Sequence, residues 1–112
     1  EAAPNGAEVT VDMHEPCAGW HAPVTADSLR ASLSKASMDY FGADAMYIGC
    51  GGSIPFMEFL ANKFPEAQFV VTGVLGPRSN AHGPNEFLHL PCAKKITAVT
   101  ASLLYDWARQ KD

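Results

Sequence analysis

The chain has 112 residues, a net charge of -4 and a pI near 5.4, and 47% of its residues are hydrophobic while 18% are charged. This length fits one domain with a modest core, and the composition excludes a disordered segment. The acidic balance argues against nucleic acid or an anionic membrane as the main partner.

The N-terminus and the cysteines predict a cytoplasmic location. No apolar run approaches the roughly 20 residues that span a membrane, and the sequence "EAAPNGAEVTV" lacks the basic start and apolar stretch of a signal peptide. Cys17, Cys50 and Cys92 cannot all pair with one another, and their spacing matches no zinc finger. We therefore expect reduced thiols in a cytosolic protein.

The first half of the chain predicts a strand and a helix. Residues 7–13 alternate in the manner of a half-exposed strand. A helix over 25–41 is expected next, with Thr25 as its N-cap and Gly42 at its end. Its apolar stripe consists of Leu29, Leu33, Ala36 and Tyr40.

The second half predicts two buried strands and two more helices. The apolar runs 44–50 and 67–75 are typical of strands that are covered on both faces. Between them, Ser53 is positioned to cap a helix over 54–64, with Pro55 in its first turn. The last helix begins at Pro91 and directs four side chains toward a core, namely Ile96, Val99, Leu103 and Trp107.

The alternation of strands and helices predicts an α/β fold, a parallel-strand sheet packed by helices. Two core strands and one outlying strand make a thin sheet for three helices, and parallel strands need neighbours on both edges. We therefore expect a partial piece of a larger domain, with a small complete domain as the alternative.

Two loops follow the predicted buried strands, where open α/β sheets bind ligands. In the first, the amides of Gly51, Gly52 and Ser53 form a candidate site for a carboxylate, a phosphate or an oxyanion. A tight turn that merely needs glycine explains the same spacing equally well.

The second loop, "GPRSNAHGPNEF" over 76–87, holds His82 where Pro77 and Pro84 exclude a helix interior or a central strand. We expect this histidine to be presented rather than buried. Imidazole can ligate a metal through one nitrogen while a partner orients it through the other, and the local candidates for that role are Asn80, Asn85 and Glu86.

One histidine cannot hold zinc, since a zinc site needs three or four protein ligands. The chain has no H-E-x-x-H motif and no closely spaced ligand pair. For His14, His21 and His89 we favour surface or packing roles.

The stretches "GCGGSIPFMEFLANKFP" and "FVVTGVLGPRSNAHGPNEF" resemble the C-terminal part of the dizinc metallopeptidases, which include glutamate carboxypeptidases, acetylornithine and succinyl-diaminopimelate deacylases, and carnosine-type dipeptidases. The resemblance extends from about Val9 to Trp107. It rests on Gly-Gly-Ser-Ile-Pro after one strand and Asn-Ala-His-x-x-Asn-Glu after the next. Cys50 stands where family members usually carry an acidic residue.

The resemblance implies roles for both loops. His82 corresponds to a zinc ligand, and Gly51, Gly52 and Ser53 correspond to the turn that helps hold the substrate carboxylate. Residues 1–24 would be the end of the lid domain and the crossover segment. Residues 25–112 would be the C-terminal part of a phosphorylase/hydrolase-like catalytic domain.

In this family the remaining metal ligands and the glutamate general base come from a longer N-terminal portion. The resemblance therefore implies a C-terminal fragment of a zinc amidohydrolase that cleaves an amide or peptide bond next to a free carboxylate. Its substrates would be small peptides or N-acyl amino acids. By itself the chain would be inactive, with no catalytic residue of its own and neither of the two zinc ions bound.

Two other functions remain open. Cys50 could be the nucleophile of a strand-turn-helix elbow, with His82 as its base. The chain could also be a non-catalytic interaction module that uses an open sheet edge.

Two further expectations concern architecture and assembly. Strands near 45–48 and 69–72 should lie side by side, with Gly51–Ser53 and the His82 loop at one end. Because the apolar strands and helix faces would be partly uncovered, we expect self-association or pairing with a complementary N-terminal part.

Overall fold

All three predicted helices form. The computed structural model describes residues 4–12, 19–49 and 54–109. These residues contain a single 3-10 turn (Pro4–Gly6) and the helices α1 (Asp27–Phe41), α2 (Pro55–Lys63) and α3 (Leu90–Arg109). None of these helices is long and apolar enough to cross a membrane.

The chain divides into two compact units. The first consists of Glu1–His21 and Cys50–Pro65, and it contains α2. The second consists of Ala22–Gly49 and Glu66–Asp112, and it contains α1, α3 and the His82 loop.

Helix α1 ends as predicted, but its N-cap lies one residue later than predicted. Its N-cap is Ala26 rather than Thr25, and no side chain caps it. The Ala26 backbone N–H donates instead to Oε1 of Gln68 at 2.7 Å. Gly42 follows the last turn with φ = 73°, and its N–H donates to the Met38 carbonyl at 3.0 Å. Glycine adopts this left-handed conformation without steric cost, which is why it ends so many helices.

Helices α1 and α3 pack against each other in antiparallel orientation. At one end, the Lys95 ammonium lies 5.1 Å from the centre of the Phe41 ring. Toward the other end, Asp106 acts electrostatically on Lys35. Ala36 lies between these contacts and is the buried apolar residue of the described part of the chain, with 3% of its surface exposed. A methyl side chain allows two helices to approach closely, which suits a buried position on α1.

The inward face of α3 is only half covered. Ile96, Val99 and Leu103 are half-buried, as their spacing predicts, but no described residue of α3 is fully buried. Trp107, predicted to point into the core, is half exposed.

Helix α2 carries an aromatic face within the first unit. The Phe56 and Phe59 rings are stacked with centroids 6.4 Å apart. The Lys63 ammonium lies 5.8 Å from the centroids of both Phe59 and Phe64. Pro55 occupies the first turn as predicted, while the predicted cap, Ser53, lies outside the described residues.

The predicted α/β fold with a parallel sheet is wrong. Residues 7–12, 44–49 and 67–75 have no regular secondary structure, and the described residues form no strand. No described residue is in a strand, so 45–48 and 69–72 are not the adjacent strands that we expected. The side chains are open as well, with 87% of Met46 and 91% of Ile48 exposed.

The physical reason is that β propensity describes how well a residue fits a pleated, half-buried surface, and is a weak preference of the backbone itself. The runs 44–49 and 67–75 have the right residues, but the described residues form no strand with which either run could pair. Each is tied to α1 near its start. Oδ1 of Asp44 accepts a hydrogen bond from the Ser34 hydroxyl at 2.6 Å, and Gln68 accepts the one from Ala26.

Candidate metal-ligand loop

The loop over 76–87 is closed at its base by three hydrogen bonds. The Ser79 N–H donates to the Gly76 carbonyl at 3.2 Å, and the Gly76 N–H donates back to the Ser79 hydroxyl at 2.9 Å. The Phe87 N–H then donates to the Ser79 carbonyl at 3.1 Å. Ser79 is 3% exposed. It is therefore a buried polar side chain whose hydroxyl oxygen satisfies a backbone N–H.

The closed loop contains two further hydrogen-bonded turns. The Gly83 N–H donates to the Asn80 carbonyl at 2.9 Å, and the Glu86 N–H donates to the Gly83 carbonyl at 3.3 Å. The Asn80 side-chain amide donates to the Pro84 carbonyl at 2.7 Å. Every one of these bonds joins residues at most four positions apart, so the loop builds its internal structure from local contacts.

Four non-glycine residues of the loop adopt left-handed backbone conformations. These are Arg78 (φ = 65°), Asn80 (φ = 56°), His82 (φ = 61°) and Asn85 (φ = 58°). Asparagine and histidine tolerate this region better than most residues, yet it remains uncommon outside glycine. The hydrogen bonds, and not glycine, therefore impose the path of the chain.

The two glycines of the loop lie where an added Cβ atom would collide with a neighbouring side chain. A Cβ atom on Gly76 would lie 2.4 Å from Cβ of His89. A Cβ atom on Gly83 would lie 2.6 Å from the amide nitrogen of the Asn80 side chain. Neither position has room for a methyl group unless its neighbour moves.

His82 is exposed, which confirms that the loop presents it. Its backbone N–H donates to Oε2 of Glu86 at 3.1 Å. This hydrogen bond uses the His82 backbone and leaves the imidazole out. Its role as a metal ligand stays a prediction.

The described residues contain no group of three or more His, Cys, Asp or Glu side chains arranged to hold a metal ion. His89 has a packing role, since Nδ1 accepts a hydrogen bond from the Cys92 N–H at 3.2 Å and the ring covers Gly76. His21 is exposed, and His14 lies outside the described residues. Within the described part, His82 can therefore contribute one ligand to a metal centre and cannot form one.

The other predicted site residues, Gly51, Gly52 and Ser53, lie outside the described residues, as does Cys50. Whether they come close to His82 stays a prediction, and so does their contact with a substrate.

Sequence reasoning missed the structural role of Ser79 and the backbone contact of Glu86. The signal for Ser79 was present, because Gly-Pro-Arg-Ser has proline at the second position of a β-turn, where it is favoured. Glu86 was one of the three local candidates for orienting the His82 ring, but its carboxylate accepts the His82 backbone N–H instead.

Comparison with known proteins supplies a relative. The chain is 35% identical over 111 residues to the cysteinylglycine-S-conjugate dipeptidase of Corynebacterium striatum, a match that covers 96% of this chain and 24% of that dipeptidase. The chain thus spans about a quarter of the length of the curated relative that it matches. No family model matches it. In this coarse form the predicted relationship to peptidases is confirmed: nearly the whole chain is similar to part of a dipeptidase, which is a hydrolase.

Proposed function

We propose that the chain is the His82-bearing part of a zinc-dependent dipeptidase or deacylase, which hydrolyses an amide or peptide bond next to a free carboxylate. The observation that carries the proposal is the similarity of nearly the entire chain to one quarter of a dipeptidase. The exposed His82, held on a loop with its own hydrogen-bond network, supports it.

His82 fits zinc as one ligand of a set that this chain would share with a complementary part of the protein. A neutral imidazole is a good zinc donor, and His82 is accessible. Since three or four protein ligands are needed, the others would come from a complementary N-terminal part. When bound, zinc would lower the pKa of a bound water and polarise the amide carbonyl. The general base would also belong to that part, so the chain by itself would be inactive.

The remaining predicted features complete the proposal. Gly51, Gly52 and Ser53 would bind the carboxylate of a small peptide or an N-acyl amino acid through their amides and the serine hydroxyl. Residues 1–24 would belong to the lid domain and 25–112 to the catalytic domain. The location would be cytoplasmic, and the exposed apolar side chains of the second unit would be covered by the complementary part or by self-association.

A chimera tests this function directly. The matched quarter of the C. striatum dipeptidase is replaced by this chain, and hydrolysis of a cysteinylglycine S-conjugate and bound zinc are measured. We expect activity in the chimera, and at least about a 100-fold loss with His82→Ala together with loss of zinc, because a direct ligand costs more than the 10–100-fold typical of its supporting residues.

The matched control is His21→Ala, an exposed histidine outside both motifs, which should leave activity unchanged. An active chimera that keeps its zinc and its rate with His82→Ala would refute the assignment. So would stoichiometric zinc binding to the 112-residue chain in calorimetric titration.

The Cys50 nucleophile remains the alternative. It predicts a thiolate well below pH 7, which a thiol titration of Cys50 would detect, whereas the metallopeptidase function predicts ordinary thiol behaviour.

A further inference from the structure

We propose that Glu86 is a positioning residue for His82: its carboxylate holds the His82 backbone in the left-handed conformation from which the imidazole is presented. The significance for metal binding rests on the function proposed above. The backbone part of the inference stands on the geometry of the loop.

The contact links the backbone N–H of His82 to a side chain that lies four residues later in the same loop. Oε2 of Glu86 accepts the His82 backbone N–H at 3.1 Å, and His82 has φ = 61°. Rotation about φ changes where Cβ points relative to the rest of the loop. Because Glu86 follows His82 in the chain, the bond closes a ring that includes the N–Cα bond of His82, so it restrains φ and with it the direction of the Cα–Cβ bond.

The left-handed conformation needs such support. Few non-glycine residues adopt it without a stabilising contact. A charged acceptor is well suited to the task, because a hydrogen bond to a carboxylate is roughly twice as strong as one between neutral groups. Among the described residues, His82 has no other hydrogen bond that fixes its backbone N–H.

Glu86 is itself held in place on both sides. Its own N–H donates to the Gly83 carbonyl at 3.3 Å, and the next residue, Phe87, donates to the buried Ser79 at 3.1 Å. Asn80 bonds to the carbonyl of Pro84, two residues earlier. The acceptor is thus part of the closed loop and does not depend on a distant element.

Glu86 has no competing described partner. The ion pair found among the described residues joins Lys35 and Asp39, and the one hydrogen bond that the Glu86 carboxylate makes there is to the His82 N–H. A glutamate that only improves solubility is expected to extend into solvent, whereas the Glu86 side chain bends back to the backbone N–H of His82.

The first test measures the His82 amide in the 112-residue chain labelled with ¹⁵N. In Glu86→Ala we expect hydrogen exchange at this amide to become about tenfold faster, since a lost hydrogen bond of ordinary strength corresponds to a factor of that size. The strong amide-to-α-proton NOE within His82, which a positive φ produces, should weaken. In Glu86→Gln the exchange rate of the His82 amide should stay within about threefold of the rate in the unsubstituted chain, because the glutamine amide oxygen still accepts the hydrogen bond.

Glu66→Ala is the matched control, since it removes an exposed glutamate from the same unit and should leave the His82 amide unchanged. If Glu86→Ala leaves both the exchange rate and the NOE of His82 as they were, the inference is overturned. Equal acceleration at all loop amides in Glu86→Ala and Glu66→Ala would overturn it too, because that pattern reflects general destabilisation.

The second test uses the dipeptidase chimera and separates the two proposals. Glu86→Ala should lower zinc retention about tenfold, and Glu86→Gln should restore most of it. A chimera that is inactive with the unsubstituted chain refutes the proposed function and leaves the amide result to decide the role of Glu86. If the chimera is active and Glu86→Ala leaves its zinc retention unchanged, Glu86 has no role in positioning a metal ligand.

Discussion

The loop over 76–87 and the two apolar runs, 44–49 and 67–75, differ in where their backbone hydrogen bonds go. The loop contains prolines, glycines and polar residues, yet its groups pair with one another over a few positions and bury Ser79. The runs have strong β-forming sequences, but the described residues form no ladder with them and leave Met46 and Ile48 almost fully open.

The difference shows what each kind of segment needs. A loop that is stabilised by local hydrogen bonds can keep its structure without a distant partner, whereas a strand exists only beside another strand. The same contrast suits the proposed function, because a preformed His82 loop could be supplied to a metal centre whose other ligands lie elsewhere in the protein.

Among the substitutions that test this contrast, Gly76→Ala is expected to change the free energy of unfolding most. In Gly76→Ala the new methyl group would overlap Cβ and Cγ of His89, and no side-chain rotation moves Cβ out of the way. We expect a loss of about 1–3 kcal/mol in the free energy of unfolding, as for other overpacked sites. Urea unfolding followed by circular dichroism measures it.

Gly73→Ala is the matched control in an apolar run. A Cβ atom there would meet nothing within 4 Å, so we expect a change within about 0.5 kcal/mol, or a slight gain from lower entropy of the unfolded chain. Equal losses in both variants would mean that the run over 67–75 is packed as tightly as the loop.

A smaller effect is expected from Ser79→Ala. The substitution removes the oxygen that accepts the Gly76 N–H at the base of the loop and leaves that donor without its partner. The expected cost is about 1–2 kcal/mol, the usual penalty for an unsatisfied group in a buried setting. Ser28→Ala on the exposed surface of α1 should change the same unfolding curve by less than about 0.5 kcal/mol. Full retention of stability in Ser79→Ala would show that the base of the loop is open in solution.

The smallest effect is expected from Ile48→Ser. Because 91% of this side chain is exposed, its removal should alter the free energy of unfolding of the isolated chain by less than about 0.5 kcal/mol. Light scattering should show less self-association, since an exposed apolar group is lost. A large loss of stability would contradict the comparison, because it would require the run over 44–49 to be buried in solution.

Local sequence signals predicted the helices well and the sheet badly. Gly42 ends α1, and Pro55 opens α2, as the spacing and the residue types indicate. The start of α1 was misplaced because Thr25 is a good cap by residue type, while the contact of Gln68 with the Ala26 N–H involves a residue 42 positions away. The strands were misjudged because an apolar, β-branched run specifies a surface to be covered without specifying what covers it.

The same division applies to the candidate site. The sequence by itself determined that residues 76–87 form a loop and that His82 is exposed on it, since two prolines exclude regular structure and no apolar pattern surrounds the histidine. Only the tertiary structure decided that Gly76 lies against His89, that Ser79 is buried, and that the Glu86 carboxylate meets the His82 amide. These outcomes depend on how the left-handed residues turn the chain back on itself, and residue types alone do not specify that path.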